Sequence, residues 1–184
     1  DGGETWQRAE PTVLQGAGPL CVKRIPNRDD ILLIWCHGSR WEAMNGYPRH
    51  RLSSAISSDG GVTFKSFRNL ESLDDVCVID PEPLTPYVQR RTWRQPSDID
   101  RYHRAPGPLR VDHPFCMLDG DEAVVAYGLG TLGDADFLER YYHTTIEEVC
   151  ARYGFEHDTD TGRIRGSNKV WVIPIEALYG EGRY

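Results

Sequence analysis

The side chains best equipped for chemistry fall in a few stretches. Between residues 89 and 110 the chain carries Arg90, Arg91, Arg94, Arg101, Arg104 and Arg110 against only Asp98 and Asp100. A guanidinium is a planar fork that grips a carboxylate through two parallel hydrogen bonds. Such a patch suits an anionic small molecule, and a solvated basic loop is the alternative reading. Arg49 and Arg51, two residues apart, are expected on one face of a strand. Directly after Arg110 comes Val111-Asp112-His113-Pro114, with a carboxylate and an imidazole side by side. These residue types do general acid–base work when they reach a substrate. Successive strand residues face opposite ways, so one of the two is expected to face a pocket, with a hydrogen bond to a neighbouring loop as the plainer alternative. Trp41, Tyr47, Tyr87 and Trp93 lie in the same connections. Aromatic rings there either stack on sugars or pin a loop down by burying area.

Holding those residues in place takes a folded core. The chain has 184 residues, 39% hydrophobic and 27% charged, which is the balance of a globular domain. Its longest apolar run, residues 31–36, has the length of a strand and falls far short of the ~20 residues of a membrane helix. A net charge of −7 argues against gripping nucleic-acid phosphates as the main activity. Five cysteines, an odd number with no CxxC spacing, argue against a complete disulfide framework and against zinc or iron–sulfur chemistry. Neither metal nor cofactor is expected.

One motif occurs twice. Asp1-Gly2-Gly3-Glu4-Thr5-Trp6 returns as Asp59-Gly60-Gly61-Val62-Thr63-Phe64, the second copy preceded by Ser57-Ser58. The Asp carboxylate can accept N–H bonds from its own turn, and glycine supplies the positive φ of a tight hairpin. The Thr and the aromatic residue then start a new strand, with the ring filling a gap between sheets. Asp1, Gly3, Thr5, Trp6, Asp59, Gly61, Thr63 and Phe64 are therefore read as structural.

This motif resembles the Asp box, or BNR repeat, of the sialidase (neuraminidase) superfamily. The run from Arg49 to Phe64 is similar to one blade of its six-bladed propeller, and the resemblance is weaker at 111–128 and from Lys169 to Leu178. It implies an all-β fold: a partial propeller of about two to three blades, forming the C-terminal portion of a longer one. Residues 1–10 would end a preceding blade, 19–71 form one blade, and 111–178 form the last. Strands are expected at 20–25, 31–36, 52–58, 63–68, 111–118, 123–127 and 169–175. Apolar residues at three- and four-residue steps predict one helix over 134–153, inserted in the last blade and stopped by Gly154. The remaining blades and any export signal are expected upstream, with a secreted or periplasmic location implied by the resemblance alone.

In an up-and-down sheet, successive turns alternate between its two ends. The Asp-box turns and the short turns at 26–30 and 119–121 share one end. The long connections 38–51, 71–110 and 128–168 share the other, where function usually sits. The family places an arginine cluster on the sugar carboxylate, a Tyr nucleophile helped by a Glu, and an Asp acid/base at that end. Arg49 matches its arginine ahead of the third strand, and Arg51, Arg104, Arg110 and Trp41 are further candidates for the substrate. Asp112 and His113 stand where the family has its Tyr before Pro, which leaves Asp112, His113 or Tyr102 to carry catalysis. The implied function is an exo-acting glycoside hydrolase on terminal acidic sugars of glycans. The alternatives are a non-catalytic propeller that binds carbohydrate or protein, and a glycosidase or lyase of other specificity. The expected partner is a glycan or small acidic sugar, with no nucleic acid and no membrane span.

Overall fold

The computed structural model describes residues 3–5, 14, 16–38, 42, 49–78, 107–131, 135–161 and 163–184. The fold is predominantly β. Four strands, β1 (Gly16–Arg24), β2 (Ile31–His37), β3 (Arg51–Ser57) and β4 (Lys65–Ser72), form an antiparallel meander. A second antiparallel sheet holds β5 (Leu109–Asp119), β6 (Glu122–Thr131) and β9 (Ser167–Pro174). Helices α1 (Ala135–Tyr142) and α2 (Ile146–Tyr153) and the hairpin β7 (Glu156–Asp158) and β8 (Arg163–Arg165) are inserted between β6 and β9. A 3-10 helix (Ile175–Tyr179) leads to β10 (Gly182–Arg183), which pairs in parallel with β4. Among the described residues no helix is long and apolar enough to cross a membrane.

The alternation of side chains explains how the sheets stack. Leu32, Ile34, Leu52 and Ile56 turn to one side of the first sheet and pack with Val111, Cys116, Ala123, Val125 and Ile173 of the second. Each of the Leu, Ile and Val side chains among them, fully buried, contributes roughly 1.5–3 kcal/mol. Leu33, Trp35 and Ala55 turn the other way and pack with Leu14, Phe64 and Phe67. Strand β5 runs over β1 and β2: the Cys21 thiol lies 3.9 Å from the Cys116 carbonyl, and the Cys36 thiol 3.5 Å from that of Val111. The outward face of the second sheet is apolar too. Registered cross-strand rows Phe115–Ala126–Val170 and Met117–Val124–Val172 line it, with Phe115, Met117, Val170 and Val172 exposed.

Ile31 registers with Ser57, so the Asp59 turn shares the end of turn 25–30 as expected. Turn 25–30, turn 119–122 and the 3-10 helix meet at one end, where Ile175 N–H donates to Asp121 O at 2.8 Å and Tyr179 Oη donates to Asp30 Oδ2 at 2.6 Å. The strand ends leading into the long connections gather at the other.

The hairpin at Asp59 is built as its residue types require. Its carboxylate accepts from Val62 N (3.1 Å), Thr63 N (2.9 Å), Thr63 Oγ1 and Ser57 Oγ. Gly61 has φ of 95°, and Gly3, its counterpart in the first copy, has 88°. Thr63 and Phe64 do not start the strand as expected. Thr63 spends its N–H on Asp59, so β4 begins at Lys65, while the Phe64 ring still packs on the Leu33–Trp35 face. The Thr63 hydroxyl, then its N–H, hold the Asp59 carboxyl down at about 2. Asp59→Ala is expected to lower the thermal midpoint at pH 7. A depressed carboxyl stabilises above its unfolded value of about 3.9 and loses that as pH falls through about 2, so the difference from wild type should shrink across that window. An unchanged midpoint at pH 7 would refute the role.

The predicted single helix over 134–153 is two. His143, at φ 50°, breaks the run, and Thr145 caps α2 with a full capping box: Glu148 N to Thr145 Oγ1 at 3.2 Å, and Thr145 N to Glu148 Oε2 at 2.9 Å. Gly154 ends α2 at φ 68°, as predicted. The strand expected after Thr5 falls outside the described residues.

Candidate functional site

Where β2, β4 and β6 end and β3 and β5 begin, two guanidiniums converge on one carboxylate. Arg49 lies in the turn ahead of β3, and its carbonyl accepts the Val111 N–H at 2.7 Å, which ties the two sheets together. Its guanidinium pairs with Asp112 Oδ1, while Arg110 Nε reaches Asp112 Oδ2 at 2.7 Å. Each carboxylate oxygen thus has its own guanidinium. The Arg49 and Asp112 side chains are about a quarter exposed, and Arg110 is 44% exposed. Within this trio two guanidiniums face one carboxylate.

Local structure explains why the cluster forms. On β5, His113 and Pro114 together stand opposite the single residue Tyr127, because Asp112 registers with Gly128 and Phe115 with Ala126. This is a β-bulge, a device that re-aims side chains. His113 sits in it at φ 48°, exposed. The bulge leaves Arg110, Asp112 and Phe115 on one face. On β1, a Cβ at Gly18 would lie 3.1 Å from Arg49 Nε and 3.3 Å from Cys36 Cβ. Glycine there makes room for the Arg49 side chain.

Arg51 does not join Arg49 on one face. Arg49 precedes the strand, so strand parity does not apply to it, and Arg51 faces away from the second sheet. Its side chain is only 5% exposed and is held by two carboxylates: Nε and Nη2 reach Asp74 at 2.6–2.9 Å, and both Nη atoms reach Glu42 at 2.9–3.0 Å. Burial alone would raise the Asp74 carboxyl, but the Arg51 guanidinium outweighs it and holds the carboxyl below its ordinary range. His50 Nε2 lies 3.3 Å from Glu42, and His37 shares a hydrogen bond with Ser53 Oγ at 3.0 Å.

A third cluster went unread in the sequence. Tyr127 Oη donates to Glu71 Oε2 at 2.7 Å, and Lys169 Nζ reaches the same oxygen, so the end of β4 is clamped to β6 and β9. Burial, then the Glu71 carboxylate, push the Tyr127 phenol up. Tyr127 is 3% exposed, which closes it to a ligand. Beside it a hollow of about 460 Å³ opens between Leu73, Pro108, Tyr142, Arg152 and Tyr153.

Of the candidates read from the sequence, Arg49, Arg110, Asp112 and His113 are brought to one place. Arg51 is assigned to a separate buried network. Trp41, Tyr102, Arg104, Asp1 and Trp6 lie outside the described residues. Gly18 and the bulge at His113 were missed. The Pro after His113 is a signal for an irregular strand, whereas nothing in the sequence marks Gly18. Comparison with protein-family models, with curated proteins and with solved structures finds no match for this chain.

Proposed function

We propose that the chain is part of a sialidase-like β-propeller, and that the Arg49–Asp112–Arg110 cluster receives the acidic group of a terminal sugar on a glycan. The single observation that carries this is the convergence of two guanidiniums at the strand ends that lead into the long connections. A sugar carboxylate entering there meets two planar donors at once, a bidentate geometry that a single lysine would not supply. Asp112, held by both guanidiniums, and the exposed His113 are the acid–base groups within reach for an exo-acting glycoside hydrolase. A second reading, carbohydrate binding without turnover, is favoured by one feature: His113 stands before Pro114, where the resemblance asks for a nucleophilic Tyr.

Turnover of a fluorogenic α-sialoside tests the first reading. Losing a charge-assisted hydrogen bond to the substrate costs about 1.5–3 kcal/mol, so Arg49→Ala is expected to lower kcat/KM at least about 10-fold. Binding of sialosides without turnover moves the conclusion to the second reading. Neither binding nor turnover ends both.

A further inference from the structure

A carboxylate that straddles two guanidiniums sits between them, each of its oxygens meeting a separate donor. Asp112 already holds that place. Its Oδ1 meets Arg49 Nη1, and its Oδ2 meets Arg110 Nε at 2.7 Å. An acidic ligand that seeks the same two forks must therefore compete with a carboxylate of the chain itself.

Arg51 shows how this protein holds an arginine for good. Its side chain is 5% exposed, and two carboxylates share its Nε and both Nη atoms. The Asp112 cluster is made the other way round. One carboxylate is divided between two arginines, and all three side chains meet solvent, Arg49 and Asp112 at about a quarter and Arg110 at 44%. An ion pair this open to water is held far less firmly than a buried one, and an incoming anion reaches it directly. Arg49 is the anchored partner, packed beside Gly18 on β1 with its carbonyl bonded to Val111 N–H. Asp112 is the partner free to leave. Rotation about its own side-chain bonds releases both guanidiniums without moving a strand.

Resting on the reading of this cluster as the acidic-sugar site, we propose that Asp112 is an internal stand-in for the ligand's acidic group. It keeps the two guanidiniums paired in the free protein, and the ligand's carboxylate displaces it on entry. Apparent affinity is then the intrinsic affinity reduced by the fraction of molecules in which Asp112 has already turned away.

Calorimetric titration with sialyllactose decides this by the sign of one change. Asp112→Asn keeps the shape of the side chain and removes its charge. It is expected to tighten binding about 10-fold, as for a wild-type competent fraction of about one tenth. Asp112→Ser should tighten binding as well, and carries the same test if the Asn variant does not fold. A residue that merely aims the two arginines would do the reverse, and both variants would bind more weakly. If wild type binds, Arg49→Ala weakens binding and neither Asp112 variant binds more tightly than wild type, the stand-in is overturned and the arginine cluster keeps its role. Binding by the Asp112 variants alone would support the stand-in in its strongest form. If wild type and both variants bind no sialoside, the stand-in and the acidic-sugar reading fall together.

Discussion

Arg51→Ala is expected to destabilise the fold by about 3–5 kcal/mol, read as a lower urea midpoint at unchanged slope. The side chain is 5% exposed, and its donors are divided between Glu42, from the connection ahead of β3, and Asp74, just after β4. Removing it strands two carboxylates beside each other in a site with little water, and the charge left behind costs more than the pair was worth. Arg51→Lys should recover only part of the loss, because one ammonium cannot present forks to two carboxylates at once. Replacing Arg51, Glu42 and Asp74 together by Met, Gln and Asn should cost less than Arg51→Ala alone, since no unpaired charge remains. A loss below about 1 kcal/mol for Arg51→Ala would mean that water reaches the network freely. Whatever the substrate proves to be, Arg51→Ala would reduce activity through folding, with activity falling in step with the urea midpoint.

The hairpins were legible because their signals are local. Asp59-Gly60-Gly61 fixes a turn through bonds within a few residues, and the apolar run from residue 31 fixes β2 to within one residue of its observed end. The two ends of the sheets followed from connection length and antiparallel pairing alone. The break between α1 and α2 was also written locally, as Thr145-Ile146-Glu147-Glu148, but the apolar period ran through it and masked the cap. Strand β10 was not legible: two residues pair with β4 only because the 3-10 helix turns the chain back, with Arg68 bonded to the Ala177 carbonyl.

The candidate site was legible in composition but not in grouping. Arg49 and Arg51 look equivalent two positions apart, yet one pairs with a carboxylate 63 residues onward and the other with Glu42 and Asp74. Which partner each takes depends on how the sheets stack, and no short-range pattern encodes that. The same holds for Glu71, which meets Tyr127 and Lys169 only after the second sheet has closed over β4.

Mild acid should weaken the fold through His37. Its ring is buried between Trp35, 5.0 Å away, and the Ser53 hydroxyl, and it faces Arg51, Glu42, Asp74 and His50. Burial, then the Arg51 guanidinium, hold it down at about 4, against about 6.5 in an unfolded chain. A depressed value means that the unfolded state takes up the proton first, so stability is whole above about 6.5 and drains as pH falls through about 4. The gap between 6.5 and about 4, at about 1.4 kcal/mol for each pH unit, comes to about 3 kcal/mol. Asp74, held below the ordinary carboxylate range, adds its own loss only at lower pH, so the two windows separate. Urea unfolding at pH 7, 5.5 and 4.5 should therefore slope in the wild type and run flatter in His37→Gln, which keeps a hydrogen-bonding partner for Ser53 without the titration. Equal slopes in both proteins would place the acid sensitivity elsewhere. A flat wild-type profile would mean that His37 is hydrated in solution and that this side of the first sheet opens more readily than its packing implies.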